Sequence, residues 1–277
     1  MKTHRLISKI LMHFGFISQV TANITYNRPN QTLAGKKIII TGGSRGLGFA
    51  MAKKFKAEGA EVLIAGRSEK TLKASSEEIG CKYLTLLDVQ NVASFKDFID
   101  QADELLGGAN CLVNNAGISL HEPTFLDVTE NKFDSQFDTN LKGAFFLTQC
   151  FIEKTQGRDF NITKNILFIS SETSMTVDER PYGLTKAATN SLIQGLAYRY
   201  VNKGYRINGV APGITVSDMT GNVSLDNISL SCNMTGRFYL PEEVAEVASF
   251  MLGDASNCLN GQILVCNEGR TINARWK

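Results

Sequence analysis

The sequence predicts a single-domain α/β fold, a doubly wound parallel sheet of about seven strands with helices on both faces. From Lys36 onward, short β-branched runs alternate with longer stretches of helical pattern. Strands joined by helix-length connections form right-handed crossovers, which make neighbouring strands parallel. Apolar runs such as Ile38-Ile39-Ile40 suit strands that are buried on both faces. A chain of 277 residues can bury one full core, so a second domain is not required.

The predicted elements follow one another in regular alternation. Strands are predicted at 37–41, 61–66, 82–87, 110–113, 164–170, 205–211 and 262–266. Helices are predicted at 46–58, 70–79, 91–106, 125–155, 182–202 and 241–253. Gly59 and Gly204 stand where helices should end. Sheets of this kind bind ligands at the carboxyl ends of their strands, so we expect functional residues directly after strands.

Composition narrows the function classes. A net charge of +2 gives no electrostatic reason to expect a nucleic-acid partner. The six cysteines include no CxxC pair, which favours a reducing compartment, and we expect a cytoplasmic protein. The three histidines have no metal-ligand spacing, so no metal site is predicted.

Residues 1–35 form an extension ahead of the predicted domain at 36–277. Its apolar residues recur at helical spacing, at Leu6, Ile7, Ile10, Leu11, Phe14 and Ile17. Lys9 and His13 interrupt the apolar run that a signal peptide needs. The segment is also too short and too charged to be a transmembrane segment. An amphipathic helix here could lie on a membrane surface, or pack on its own domain or on a neighbouring subunit.

A glycine-rich loop follows the first strand and opens the first helix. It reads Thr-Gly-Gly-Ser-Arg-Gly-Leu-Gly over 41–48 and departs from the GxGxxG spacing. Gly42 permits a tight turn, while Gly46 and Gly48 let the backbone approach a pyrophosphate at the helix N-terminus. Ser44, Arg45 and Leu47 complete this predicted cofactor loop. The alternative is a plain turn between strand and helix, but the context is that of a Rossmann-type dinucleotide site.

The end of the second strand predicts which dinucleotide binds. A free ribose 2′-hydroxyl calls for an acidic residue here, but the chain has Gly66 followed by Arg67. Arg45 is a second cation within reach, and the arginine fork suits a 2′-phosphate. We therefore expect NADP(H) rather than NAD(H), although Arg67 could also be a solvated loop residue.

Three further segments lie after predicted strands. Asp88-Val89 is placed to contact the adenine. Asn115-Ala116-Gly117 is placed to line the adenosine and ribose. Tyr182 and Lys186 are four residues apart on one helix face, where the ammonium could lower the pKa of the phenol. A tyrosine with an ordinary pKa of about 10 is a poor base at neutral pH, so such a cation has a definite chemical role.

Taken together, these segments resemble the short-chain dehydrogenase/reductase family from about Leu33 to Ile272. The matching pieces occur in the family's order: TGGSRGLG, Asp88, the NNAG run at 114–117, Asn140, Ser170-Ser171, the YGLTK run at 182–186, and Pro212-Gly213. The overall pattern is similar to 3-oxoacyl-carrier-protein reductases.

The resemblance implies a catalytic group. Tyr182 would be the general acid in carbonyl reduction and the general base in alcohol oxidation. Lys186 would lower the pKa of Tyr182 and hold the nicotinamide ribose. Ser171 would hydrogen-bond the substrate oxygen, and Asn140 would hold a water that relays protons by way of Lys186. Nicotinamide contacts would come from Pro212, Gly213 and Ile214.

Two segments depart from the family's pattern. The stretch from Ser171 to Tyr182 is shorter than usual and polar, which leaves open whether Ser170 or Ser171 faces the substrate. The strand end at Ile169 favours Ser171. Near the C-terminus, Glu268 lies in a run where the family often has Asp-Gly-Gly, and it is expected to reshape a subunit contact or the floor of the site.

The predicted function is an NADP(H)-dependent oxidoreductase acting on a ketone or secondary alcohol. Residues 215–239 would form a lid over the small-molecule substrate, and sugars, polyols and small hydroxy acids remain alternatives to an acyl substrate. The other function class is a non-catalytic dinucleotide-binding protein, but such proteins normally lose the Tyr or the Lys. A homotetramer or homodimer is expected, formed through the helices at 125–155 and 182–202.

Overall fold

Seven parallel strands form the centre of the molecule. The computed structural model describes residues 31–158, 163–221 and 227–272. The strands are β1 Lys37–Thr41, β2 Glu61–Gly66, β3 Tyr83–Leu86, β4 Cys111–Asn114, β5 Lys164–Ile169, β6 Tyr205–Pro212 and β7 Ile263–Cys266. Their order is β3-β2-β1-β4-β5-β6-β7, and each neighbouring pair is parallel. The predicted doubly wound sheet is therefore confirmed.

Helices cover both faces of this sheet. They are α1 Gly46–Ala57, α2 Glu69–Ile79, α3 Phe95–Leu106, α4 Glu130–Phe137, α5 Gly143–Thr155, α6 Pro181–Tyr200 and α7 Pro241–Leu252. Side chains alternate across a strand, so Ile38 and Ile40 pack with α1, α2 and α7. Ile39 packs on the opposite face with α3, α5 and α6. All three isoleucines are fully buried, as their uninterrupted apolar run predicts.

The single helix predicted at 125–155 is wrong in its first half. Residues Phe125–Asp127 form a separate 3-10 turn, and α4 begins after Thr129, whose side chain accepts a hydrogen bond from the Lys132 amide. A π-helical turn over Asp138–Lys142 then separates α4 from α5. A helical pattern in the sequence does not reveal a π turn, because a π turn lengthens the hydrogen-bond spacing of the α-helix by only one residue.

The functional segments meet where the direction of the chain reverses across the sheet. β1 and β4 are neighbours, and the connections that leave their carboxyl ends diverge to opposite sides. Such a switch point opens a crevice for a ligand. The predicted lid borders this crevice: a bridge pairs Thr215 with Tyr239, and an antiparallel bridge pairs Ser229 with Arg237. Part of the lid, 222–226, lies outside the described residues.

The predicted amphipathic extension lies almost entirely outside the described residues, which begin at 31. Leu33 is fully buried, and its amide donates to the Glu58 carbonyl oxygen at 3.0 Å. The last residues before β1 thus pack with the body of the domain. Among the described residues, none of the helices combines the length and the apolar character needed to cross a bilayer.

Candidate active site

The glycine-rich loop forms a cradle that side chains would fill. Gly42 and Gly46 have φ angles of +66° and +53°, which favour glycine. A Cβ on Gly48 would collide with the Gly42 carbonyl oxygen. Arg45 precedes α1 in an extended conformation, and its side chain does not cap the helix. The first-turn amides of α1 are therefore open to an anion, which fits a pyrophosphate.

Asn115 braces this loop. Its side-chain amide donates to the Thr41 and Gly42 carbonyl oxygens at 2.8 and 3.1 Å. In return, the Thr41 hydroxyl oxygen accepts from the backbone amides of Asn115 and Ala116, both at 3.0 Å. The side chain of Asn115 thus supports the cradle, whereas the sequence predicts that it lines the adenosine and ribose. The part played by Thr41 was missed, since a strand-end threonine has no distinguishing local pattern.

The two arginines predicted to read a 2′-phosphate differ in their surroundings. Arg67 is exposed after β2, and Gly66 contributes no side chain beside it. The Ser44 side chain lies near this position, with Oγ 3.8 Å from where a Cβ on Gly66 would stand. Arg45 extends towards the predicted lid, where its Nη1 donates to Asp218 Oδ2 at 2.9 Å. Asp218 is a partner that sequence reasoning missed.

The predicted adenine contacts border the same cleft. Asp88 is exposed after β3, and its Oδ1 accepts from the Gln90 amide at 3.0 Å. Val89 is fixed by close packing, because a Cβ on Gly143 would collide with its carbonyl oxygen.

The two candidate serines point to different partners. The Ser171 side chain lies close enough to the Tyr182 phenol to lower the pKa of that phenol, and its Oγ accepts from the Thr173 amide at 3.3 Å. Ser170 instead donates to Asn190 Oδ1 at 2.7 Å and lies near Ser174 Oγ, at 3.2 Å. Of the two serines, Ser171 is the one whose side chain affects the pKa of Tyr182.

Tyr182 and Lys186 lie together but are not coupled as expected. Burial raises the pKa of the Tyr182 phenol above its ordinary value of 10.0, and only the Ser171 side chain opposes this. Burial also lowers the pKa of the Lys186 ammonium to about 8. Lys186 Nζ lies 5.6 Å from the Tyr182 ring centroid and donates to the Ile169 carbonyl oxygen at 2.8 Å. The pKa of the phenol is therefore raised in this structure by burial, whereas Lys186 was expected to lower it.

Asn140 lies behind this pair, inside the π turn. Its Oδ1 accepts from the Ile118 amide at 2.8 Å. Its Nδ2 donates to the Ile118 carbonyl oxygen at 2.9 Å and to Thr185 Oγ1 at 3.2 Å. Gly117 separates the two side chains, since a Cβ there would stand 3.3 Å from Asn140 Oδ1 and 3.6 Å from Lys186 Nζ. The predicted relay residues are thus brought to one place.

The segment after β6 forms the opposite wall. The Gly213 amide donates to the Cys266 carbonyl oxygen at 2.9 Å, and the Ile214 carbonyl oxygen accepts from the Tyr239 amide at 3.0 Å. A Cβ on Gly213 would stand 2.5 Å from the Tyr239 ring. Pro212 is the last residue of β6, so the whole Pro-Gly-Ile segment borders the crevice.

A charged cluster beside Ser171 was not found from the sequence. The carboxylate of Glu172 is bound by Arg270 Nη1 at 2.6 Å and Asn267 Nδ2 at 3.0 Å. Glu268 accepts from the Tyr239 hydroxyl at 3.3 Å, and burial together with this carboxylate raises the pKa of Tyr239 to about 12. Glu172 and Arg270 lie far apart in the chain, so no local motif reveals their pairing.

Within the part of the chain that the structure describes, His, Cys, Asp and Glu form no group of three or more that could hold a metal ion.

Known proteins resemble this chain over most of its length. A family model described as enoyl-(acyl carrier protein) reductase matches residues 42–271. A gluconate 5-dehydrogenase from Gluconobacter oxydans is 31% identical over 249 residues, covering 87% of this chain and 96% of the relative. A 3-oxoacyl-[acyl-carrier-protein] reductase from Aquifex aeolicus is 31% identical over 253 residues, covering 86% and 98%.

Solved structures share the fold. A short chain dehydrogenase from Burkholderia cenocepacia, solved in complex with NADP, superimposes with a TM-score of 0.76 at 27% identity. The match covers 86% of this chain and 99% of that one. A dehydrogenase/reductase from Sinorhizobium meliloti gives a TM-score of 0.77 at 27% identity, covering 88% and 98%.

Proposed function

The chain belongs to the short-chain dehydrogenase/reductase family, and we propose that it is an NADP(H)-dependent oxidoreductase acting on a ketone or secondary alcohol. The observation that carries the proposal is the grouping of Ser171, the buried Tyr182 phenol and the buried Lys186 ammonium, whose Nζ lies 5.6 Å from the Tyr182 ring centroid. A non-catalytic dinucleotide-binding protein has no need of this arrangement.

Tyr182 moves the proton. In carbonyl reduction its phenol donates a proton to the substrate oxygen, and in alcohol oxidation the phenolate accepts one. Ser171 hydrogen-bonds the same substrate oxygen and stabilises the charge that develops on it. Both side chains are supplied by segments that meet at the carboxyl end of β5, which places Ser171 beside the Tyr182 phenol.

Lys186 supplies positive charge where the phenolate forms. Its pKa of about 8 leaves most of the ammonium protonated at neutral pH, despite burial. In the proposed mechanism it also binds the nicotinamide ribose. The side-chain amide of Asn140 is already bonded to Ile118 and Thr185, so the relay water would be held by the main-chain carbonyl of Asn140.

The cofactor assignment rests on the cradle and its charges. Gly42, Gly46 and Gly48 leave room for a pyrophosphate at the start of α1. Arg45 and Arg67 would bind the 2′-phosphate, and no acidic residue stands at Gly66. When bound, the nicotinamide supplies or accepts the hydride. The NADP complex of the Burkholderia cenocepacia neighbour supports the same choice.

The experiment that tests the proposal has two stages. NADPH and NADH are first titrated separately into the purified protein, followed by nicotinamide fluorescence, and NADPH should bind much more tightly. Carbonyl compounds of two classes, keto sugar acids and 3-oxoacyl thioesters, are then screened for NADPH oxidation. The two classes correspond to two relatives of this chain, the gluconate 5-dehydrogenase and the 3-oxoacyl-[acyl-carrier-protein] reductase. Failure to bind either nucleotide would contradict the proposal.

Self-association is part of the proposed function. A groove between α5 and α6 is lined by Phe145, Leu192, Leu196 and Tyr200, and Tyr198 is 89% exposed on α6. Apolar residues left exposed or only partly buried on two long helices suit a contact between copies of this chain. We therefore expect a homodimer or homotetramer.

A further inference from the structure

The segment after β7 contacts the residue that follows the proposed catalytic serine, in a way that the family motifs do not account for. We call residues 267–270 the C-terminal corner. Asn267 Nδ2 donates to Glu172 Oε2 at 3.0 Å, and Arg270 Nη1 donates to Glu172 Oε1 at 2.6 Å. Glu172 directly follows Ser171 and is buried. Both oxygens of a buried carboxylate beside the serine are thus bound by this one corner.

The same corner reaches the end of the lid. Glu268 has a φ of +53°, a left-handed conformation, and its carboxylate accepts from the Tyr239 hydroxyl. The Cβ of Asn267 would stand 3.1 Å from a Cβ on Gly213. The corner therefore packs against the residues that follow β5 and β6 as well as against the lid.

The orientation of Ser171 depends on the short turn that begins at Glu172. Ser171 caps the 3-10 turn Glu172–Met175, and its Oγ accepts from the Thr173 amide at 3.3 Å. On its other side the turn is tied to α6, because Asn190 Nδ2 donates to Ser174 Oγ at 2.8 Å. The C-terminal corner contacts this turn through the carboxylate of Glu172, the first residue of the turn. The turn is thus fixed from two directions.

Stability alone does not explain the Glu172–Arg270 pair, because the Arg270 side chain is 33% exposed and a partly solvated ion pair contributes little. Replacing both members of a buried ion pair by apolar residues of similar volume is often neutral or stabilising, whereas removing one member is costly. We propose that Glu172 and Arg270 are positioning residues, which hold the 172–175 turn so that the Ser171 hydroxyl faces Tyr182 and the substrate oxygen. This inference rests on the proposed function of Ser171.

The test is the paired variant Glu172→Met/Arg270→Met, which removes the tie without leaving an unpaired charge. The kcat for NADPH oxidation, normalised to the number of NADPH-binding sites, should fall by about tenfold or more. The dissociation constant of NADPH should stay within about twofold of the wild-type value. Arg270→Lys keeps a cation and should recover more of kcat than Arg270→Met.

A second ion pair provides a matched control. Arg158 and Asp103 have side-chain exposures of 35% and 12%, against 33% and 8% for Arg270 and Glu172. Asp103 also accepts from the Ala109 amide and lies 3.9 Å from Lys154 Nζ, while Glu172 also accepts from Asn267, so each double replacement removes an acceptor from at least one further donor. Asp103→Leu/Arg158→Met lies away from the site and should leave kcat unchanged. A wild-type kcat in Glu172→Met/Arg270→Met would overturn the proposal.

Amide hydrogen exchange decides the inference independently of turnover. In Glu172→Met/Arg270→Met, the Thr173 and Ser174 amides should exchange about tenfold faster, because they bond to Ser171. Amides in the middle of α6 should be unaffected. Unchanged exchange at Thr173 and Ser174 overturns the positioning role. If instead the wild type turns over no carbonyl compound, the proposed function fails, and the exchange rates still show whether the corner holds the turn.

Discussion

Arg45 should discriminate between NADPH and NADH, and Arg45→Ala should weaken NADPH binding by about 5- to 30-fold. In this structure the guanidinium is paired with Asp218, and the two side chains are 71% and 65% exposed. An exposed pair of this kind contributes about 0–1 kcal/mol. A charge-assisted hydrogen bond to a phosphate contributes about 1.5–3 kcal/mol. The difference, roughly 1–2 kcal/mol, corresponds to the stated change in affinity.

Fluorescence titration of NADPH and NADH against matched variants is the assay. Asp218→Asn removes the competing carboxylate and should strengthen NADPH binding by up to about fivefold. Lys73→Ala removes another exposed, ion-paired cation and should change neither affinity. Wild-type affinity for NADPH in Arg45→Ala would refute the reasoning. Equal losses for NADPH and NADH would show that Arg45 supports the loop and does not read the 2′-phosphate.

Four further predictions concern the cradle, the core, the lysine and the assembly. Gly48→Ala should reduce NADPH binding below detection in calorimetric titration, because its Cβ would collide with the Gly42 carbonyl oxygen, while circular dichroism stays unchanged. Arg206→Met should lower the free energy of unfolding, measured in urea, by about 3 kcal/mol or more. The Arg206 guanidinium donates to carbonyl oxygens around the end of α7, including those of Met251 and Gly253, both at 3.1 Å. An unchanged urea midpoint would contradict this. Lys186→Met should abolish turnover yet raise the free energy of unfolding at pH 7 by about 1–3 kcal/mol, because burial lowers the folded-state pKa to about 8. The unfolded chain keeps the Lys186 proton up to higher pH than the folded protein does. As the pH rises from 8 towards 10.5, the free energy of unfolding of the wild type should therefore approach that of the variant. A difference between the two that widens over this range would contradict the lowered pKa of Lys186. Sedimentation at micromolar concentration should show a dimer or tetramer, and a monomer would defeat the proposed assembly.

The strands were predictable because parallel strands buried on both faces require uninterrupted apolar runs. The predicted limits of the first two strands, 37–41 and 61–66, are those observed. The glycine-rich loop was predictable for a similar reason, since only glycine fits at Gly42 and Gly48. In each case the structural requirement, for apolar or for glycine residues, concerns only a few neighbouring residues, so it is visible as a short pattern in the sequence.

Features that depend on distant residues were not predictable. Arg270 pairs with Glu172 across almost a hundred positions, and Arg45 pairs with Asp218 across an even longer stretch. The direction of the Tyr182 pKa shift was also missed, because it depends on burial and on where the Lys186 ammonium points. Neither property is contained in the four-residue spacing of the two side chains.

The central claim is that Tyr182 transfers the proton, and Tyr182→Phe tests it most directly. The variant loses the hydroxyl and keeps the ring, so NADPH binding, followed by nicotinamide fluorescence, should stay within about twofold of the wild-type value. Turnover of the best carbonyl substrate from the screen should fall by at least about a thousandfold. Substantial turnover in Tyr182→Phe would contradict the assignment of Tyr182 as the acid and base.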